Sequence, residues 1–279
     1  MSDTLPLRLR LAVASAAELG EEEAATGGRR VFLARGRTDP ADAPPSRRVV
    51  LHPLPPEGPT REALVRRTDQ LLVLTHPAIA APIGTGEFEG RAWIIDPIPP
   101  GVPLLQRLAE RGTLPLREAI TILREVARAL AALHRRELTH GRLWAGTVML
   151  DRRGTVLTSF GLVADAMPKD DLHALGALAW EMLVGLPPQP GGAWPLRTYR
   201  PSAPADLERL VAGLLAPDGE PKPGRAEDVL DVLDHFPPLT PEPIADFLDG
   251  VAAGGGRRSR RRRGVMVTLG SLLGRLRGA

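Results

Sequence analysis

The hydrophobic period of the chain changes at one place, and that change dictates its architecture. Before Pro97-Ile98-Pro99-Pro100-Gly101, short apolar runs at residues 9–14, 30–34, 48–51 and 92–95 are separated by Gly and Pro breaks. Runs of this length read as strands and predict a small antiparallel sheet, interrupted by a single helix at residues 61–74. After the Pro/Gly break the period becomes 3.6. Leu116, Ala119, Ile120, Leu123, Val126, Ala127, Leu130 and Leu133 fall on one face of a long helix that follows Pro115. Leu172, Leu175, Leu178 and Met182 mark a second helix. Leu207, Leu210, Val211 and Leu214 mark a third, and Val229, Leu230, Leu233 and Phe236 a fourth. A sheet lobe followed by a helical lobe is an α+β fold with a boundary near residue 97.

Composition narrows the function. At 279 residues and 43% hydrophobic the chain can bury a sizeable core, and with no cysteine it has neither disulfides, thiolate metal sites nor a cysteine nucleophile. The formal net charge of +3 hides an asymmetry. Eight arginines and no acid follow residue 256, and without them the charge is −5. The globular part is therefore mildly acidic, which argues against a nucleic-acid face built into the fold. Residues 1–20 lack a basic start followed by an apolar run, and no segment approaches the roughly 20 apolar residues of a spanning helix. A cytoplasmic location is expected.

The string from His134 to Val163, HRRELTHGRLWAGTVMLDRRGTVLTSFGLV, presents a helix end, a His-containing loop, two short strands and a Phe-Gly. His76-Pro77-Ala78-Ile79 precedes it. Asp171-Leu-His-Ala-Leu-Gly176 follows, and then Gly185-Leu-Pro-Pro188. In order and spacing these four motifs resemble the protein kinases, over roughly residues 9–236. The resemblance implies a two-lobed fold: a small sheet lobe at 1–97, a mainly helical lobe at 98–249 and a tail at 250–279.

The same resemblance marks what is missing, because phosphoryl transfer rests on a defined set of ionisable side chains. Where the family has His-Arg-Asp, this chain has His140-Gly141-Arg142, so a cation stands for the proton-accepting carboxylate. Trp144 stands for the loop lysine and Thr147 for the metal-binding asparagine. Ser159-Phe160-Gly161 removes the principal magnesium carboxylate. In the small lobe His52 stands for the phosphate-contacting lysine and Arg67 for its glutamate partner. The glycine-rich loop falls at residues 19–28, where Glu21, Glu22 and Glu23 would repel a triphosphate. Val50 replaces a small alanine over the adenine. Asp96 and Ile98 are the hinge candidates for a nucleotide base. Only nine residues separate Gly161 from Asp171, too few for the family's activation segment. A general base alone contributes about 10²- to 10⁴-fold, so the combined losses predict negligible transfer.

The retained residues, His140, Phe160, Gly161 and Asp171, are those that brace the loop. His140 is expected to be a satisfied core histidine, and Asp171 to cap a helix or bond loop amides. The expectation is a pseudokinase: a binding, scaffold or regulatory module with no catalytic residue, no metal site and no cofactor, ATP being disfavoured. Its partners are expected to be proteins. One alternative is an ATP-binding enzyme in which Asp151 or Asp165 supplies unconventional metal ligation. Another gives the function to the tail. There Arg257, Arg258, Arg260, Arg261, Arg262 and Arg263 precede Val265, Met266, Leu269, Leu272, Leu273 and Leu276 at helical spacing. That pattern suits peripheral attachment to an anionic membrane. Nucleic acid is not an expected partner, since no aromatic residue is interleaved to stack bases.

Overall fold

The computed structural model describes residues 4–26, 29–40, 42–161, 163, 165–189, 195–216 and 222–237. The chain divides into two units, Met1–Leu239 and Thr240–Ala279. The tail arginines and the apolar stripe among them lie outside the described residues.

The first unit opens with helix α1 (Thr4–Val13). Strands β1 (Ala17–Thr26), β2 (Arg29–Gly36), β3 (Arg47–Pro53), β4 (Gly84–Phe88) and β5 (Arg91–Pro97) form one antiparallel sheet in the order β1-β2-β3-β5-β4. Helix α2 (Pro59–Leu72) lies in sequence between β3 and β4. The short β6 (Val102–Pro103) pairs with β7 (Val148–Asp151), which pairs with β8 (Gly154–Leu157). The helices of the second lobe are α3 (Leu104–Arg111), α4 (Leu116–His134), α5 (Pro168–Val184), α6 (Leu196–Tyr199), α7 (Ala205–Leu214) and α8 (Ala226–Leu233). This is the two-lobed α+β arrangement, with β5 ending at Pro97.

Strand pairing sorts the sheet's side chains. Val49 faces Ile95, Val50 faces Ile94 and Arg48 faces Asp96 across β3 and β5. Because side chains alternate along a strand, Arg48, Val50, His52, Ile94 and Asp96 share one face and Val49, Leu51, Trp93 and Ile95 the other. The second face is closed by Leu9 and Val13 of α1. Residues 9–13 are therefore helical rather than the strand expected over 9–14. Leu9 and Val13 stand four apart and are fully buried, whereas Leu11 is 73% exposed. One helical face seals the sheet where a strand would have needed an edge to pair with.

At residues 19–28, where the glycine-rich loop is expected, the stretch as far as Thr26 belongs to β1, and Gly27 and Gly28 lie outside the described residues. Cross-strand ion pairs stabilise it: Glu18 meets Arg35 and Glu22 meets Arg30, the latter through two bonds of 2.8 and 2.6 Å. Strand β4 had no sequence expectation either.

In the large lobe α4 is the central helix. Ile122, Val126, Ala129, Leu130 and Leu133 are fully buried against Leu172, Leu175 and Leu178 of α5, Leu207 and Val211 of α7, and Val229 and Leu233 of α8. Phe236 lies beyond the end of α8 and packs on the same core. Arg107 of α3 and Glu118 of α4, each 3% exposed, form a two-bonded ion pair of 3.0 Å that fixes these helices to one another.

Candidate functional site

The loop from Thr139 to Thr147 is built around a buried histidine. His140 is fully buried, and its ring lies 4.7 Å from that of Phe160. Arg142 N–H donates to Nδ1 at 3.2 Å, and Nε2 stands 3.2 Å from the Thr158 carbonyl. One nitrogen accepts and the other donates, so the imidazole is neutral with its proton on Nε2. Burial lowers its pKa to about 4. Asp171 is inside α5, three residues past its first turn residue Pro168, and does not cap it. Asp170 performs the capping, accepting the Met167 N–H at 2.7 Å. Asp171 instead reaches the loop. Its Oδ2 accepts the His140 N–H at 2.7 Å, its Oδ1 accepts the Gly141 N–H at 2.8 Å, and His134 Nε2 lies 3.0 Å from Oδ2.

The Ser159-Phe160-Gly161 turn docks on the same loop. Gly161 N–H donates to the His140 carbonyl at 2.9 Å, and a Cβ on Gly161 would stand 2.5 Å from the Gly141 carbonyl oxygen. Only glycine fits that approach. Ser159 has φ 59°, a left-handed conformation that serine seldom adopts, held here by its neighbours on both sides.

The polar side chains of this centre are spent on local contacts. Thr147 Oγ1 accepts the Trp144 N–H at 3.1 Å and stands 3.0 and 3.2 Å from the carbonyls of Trp144 and Arg142. Its hydroxyl closes its own turn. Asp151 ends β7 opposite Gly154, with Oδ1 2.6 Å from the Arg152 N–H. Gly154 precedes Ser159 by five residues, roughly 16 Å of extended strand, so Asp151 sits at the far end of the hairpin from the turn. Asp165 is exposed. Among the described residues no three His, Cys, Asp or Glu side chains cluster as a metal site would require.

The matching profile for protein tyrosine and serine/threonine kinases covers residues 31–188, more than half of the chain. The chain belongs to the protein kinase family. It is 27% identical over 172 residues to the probable serine/threonine-protein kinase pknA2 of Bifidobacterium longum, a match covering 50% of this chain and 23% of that relative. With serine/threonine-protein kinase PknI of Mycobacterium tuberculosis it shares 27% over 201 residues, 63% of this chain and 34% of that protein. With PrkC of Bacillus subtilis it shares 22% over 198 residues, 56% and 31% respectively. The matches span about a third or less of these curated relatives.

In kinase terms, His52 is on the sheet face turned away from α1, and burial lowers its pKa to about 4, so it is neutral near pH 7. Arg67 does not meet it as the family's ion pair would require. Its guanidinium instead bonds the Val163 carbonyl at 2.7 Å and the Thr139 carbonyl at 2.5 Å. At the hinge, the Ile98 N–H is donated to the Ser46 carbonyl at 2.8 Å. Asp96 is 4% exposed, and its Oδ1 has no hydrogen-bond partner among the described residues. Burial raises its pKa to about 7 against the pull of Arg48. Arg48 itself is committed to Glu23, at 2.7 and 3.2 Å. Two of the three acids expected to repel a triphosphate are thus neutralised, Glu22 by Arg30 and Glu23 by Arg48. Val31, Val50 and Met149 are 8%, 1% and 6% exposed.

The sequence alone named His52, Arg67, Asp96, His140 and Asp171 but not the targets of Arg67 or Ile98. Both targets are backbone carbonyls, which every residue type supplies and no sequence pattern marks.

Proposed function

We propose that this protein is a pseudokinase, a kinase-family domain that works by binding rather than by phosphate transfer, as a scaffold or regulatory module for protein partners. The observation that carries the reading is the set of side chains at the reacting centre. Arg142, Thr147 and Ser159 stand where a proton acceptor and two magnesium ligands are needed, and Thr147 spends its hydroxyl on its own turn. A cation at the base position cannot accept a hydroxyl proton, and neutral hydroxyls are poor magnesium ligands.

The residues present do not fit a magnesium nucleotide. A base at the hinge would need the Ile98 N–H that Ser46 accepts, and a phosphate would meet a neutral His52. The frame around the loop is kept: His140 on Phe160, Gly161 on Gly141, and Asp171 on two loop amides. That combination supports a domain selected for its shape. Attachment to an anionic membrane through the arginine-rich tail is a further part of the proposal and rests on sequence alone.

The test is a thermal-shift titration of the full chain with ATP, with and without Mg²⁺ or Mn²⁺, followed by transfer of labelled terminal phosphate to a protein acceptor. No shift and no transfer are expected. Transfer that disappears when Asp151 or Asp165 is replaced by Asn would refute the reading in favour of unconventional metal ligation.

A further inference from the structure

We infer that Arg67 ties α2 of the small lobe to the loop of the large lobe, doing from within the chain what a bridging nucleotide does from outside. The inference rests on the pseudokinase reading and adds to it a specific mechanical part. Its basis is one peptide group. The Thr139 carbonyl accepts from Arg67 Nη2 at 2.5 Å, and the His140 N–H of the same peptide donates to Asp171 Oδ2 at 2.7 Å. A cation from α2 and a carboxylate from α5 thus hold the two ends of a single peptide dipole. Each of these bonds is charge-assisted, which makes it shorter and stronger than a neutral one.

The second guanidinium nitrogen extends the tie. Nη1 bonds the Val163 carbonyl at 2.7 Å, so the segment after Phe160-Gly161 is held by the same side chain. Asp171 also attracts Arg67 through space, opposing the loss of hydration that lowers the arginine's pKa. Arg67 keeps its charge because a guanidinium is not deprotonated in proteins. The tie therefore does not titrate, and it needs neither metal nor phosphate. A glutamate at this position could not make it, because a carboxylate cannot donate to a carbonyl. The substitution that removes the family's ion pair creates this contact.

The consequence is coupling. Anything that moves α2 must move residues 139–141 and the chain near Val163, so a partner seated on α2 is felt at the loop. Hydrogen exchange on the full chain, with wild type, Arg67→Ala and Arg67→Gln, tests this. In Arg67→Ala the amides of α2 and of residues 139–141 are expected to exchange about tenfold faster or more, with a smaller change in Arg67→Gln, while α4 and α5 keep their protection. Wild-type protection of residues 139–141 in both variants overturns the inference, as does loosening confined to α2. If Arg67→Ala fails to fold, Arg67→Gln decides on the same criteria. Magnesium ATP is run alongside: added protection of the wild type counts against the empty-cleft reading, whereas the variants alone decide the tie.

Discussion

Replacing Asp96 by Asn should stabilise the protein in mild alkali and do little or the reverse in acid. The carboxyl is 4% exposed, its Oδ1 has no hydrogen-bond partner among the described residues, and its facing cation, Arg48, is engaged with Glu23. It titrates at about 7 in the folded chain against 3.8 in the unfolded one. A group whose pKa is raised by folding contributes stability that is fully present below the unfolded value and is lost as pH rises through the folded value. The loss therefore accumulates between about pH 4 and pH 7 and is complete by pH 8. At about 1.4 kcal/mol per pH unit it amounts to at most about 4 kcal/mol. An asparagine carries no charge to bury, but its amide hydrogens enter a site without a partner, which costs about 1–3 kcal/mol. The net gain at pH 8 is then roughly 1–3 kcal/mol, or about 2–10 °C in Tm for a chain of this size. Urea unfolding followed by tryptophan fluorescence at pH 5 and pH 8 measures it, with Trp93 on the same strand, β5, among the reporters. Parallel pH profiles for wild type and Asp96→Asn would show that this carboxyl is solvated or paired and that the reasoning fails.

Two further outcomes follow from groups buried elsewhere. His52 and His140 both titrate at about 4 when folded and at 6.5 when unfolded, so the stability they contribute is present above pH 6.5 and lost as pH falls toward 4. Each costs up to about 3 kcal/mol by pH 4, and His52→Leu should flatten the acid limb of a stability-versus-pH curve measured by urea titration. Breaking the buried Arg107–Glu118 pair with Arg107→Ala should cost about 3–5 kcal/mol, whereas Arg107→Leu combined with Glu118→Leu should recover most of it. A double-mutant cycle in chemical denaturation measures both, and a double variant no better than the single one would mean that the loss is one of packing.

The tertiary structure corrected the sequence where local pattern and global packing disagree. Residues 9–14 have apolar residues at alternate positions around Arg8 and Arg10, which reads as a strand, yet the segment is a helix because an uncovered sheet face needed Leu9 and Val13 four residues apart. The acids of β1 carry no strand signal of their own because charged residues are depleted in strands, and arginines 30 and 35 on β2 compensate them only once the strands pair. A lone acid flanked by Ile94, Ile95 and Pro97 was a visible signal for a buried carboxyl at position 96. Nothing in the sequence announced that Ile98 would give its amide to Ser46.

What the sequence determined by itself is the change of period at residue 97, the long helix at 116–134 and the identities of the side chains in the loop around His140. Each is local: periodicity reports which face of an element is buried, and a residue's type is the same in any conformation. What only the folded chain decided is which partners those side chains found. Arg67 reaches Thr139, 72 residues away, and Val163, 96 residues away, while Asp171 crosses 31 residues to His140. Those bonds end on backbone atoms, which are the same at every position, so their partners are selected by three-dimensional proximity and not by residue type.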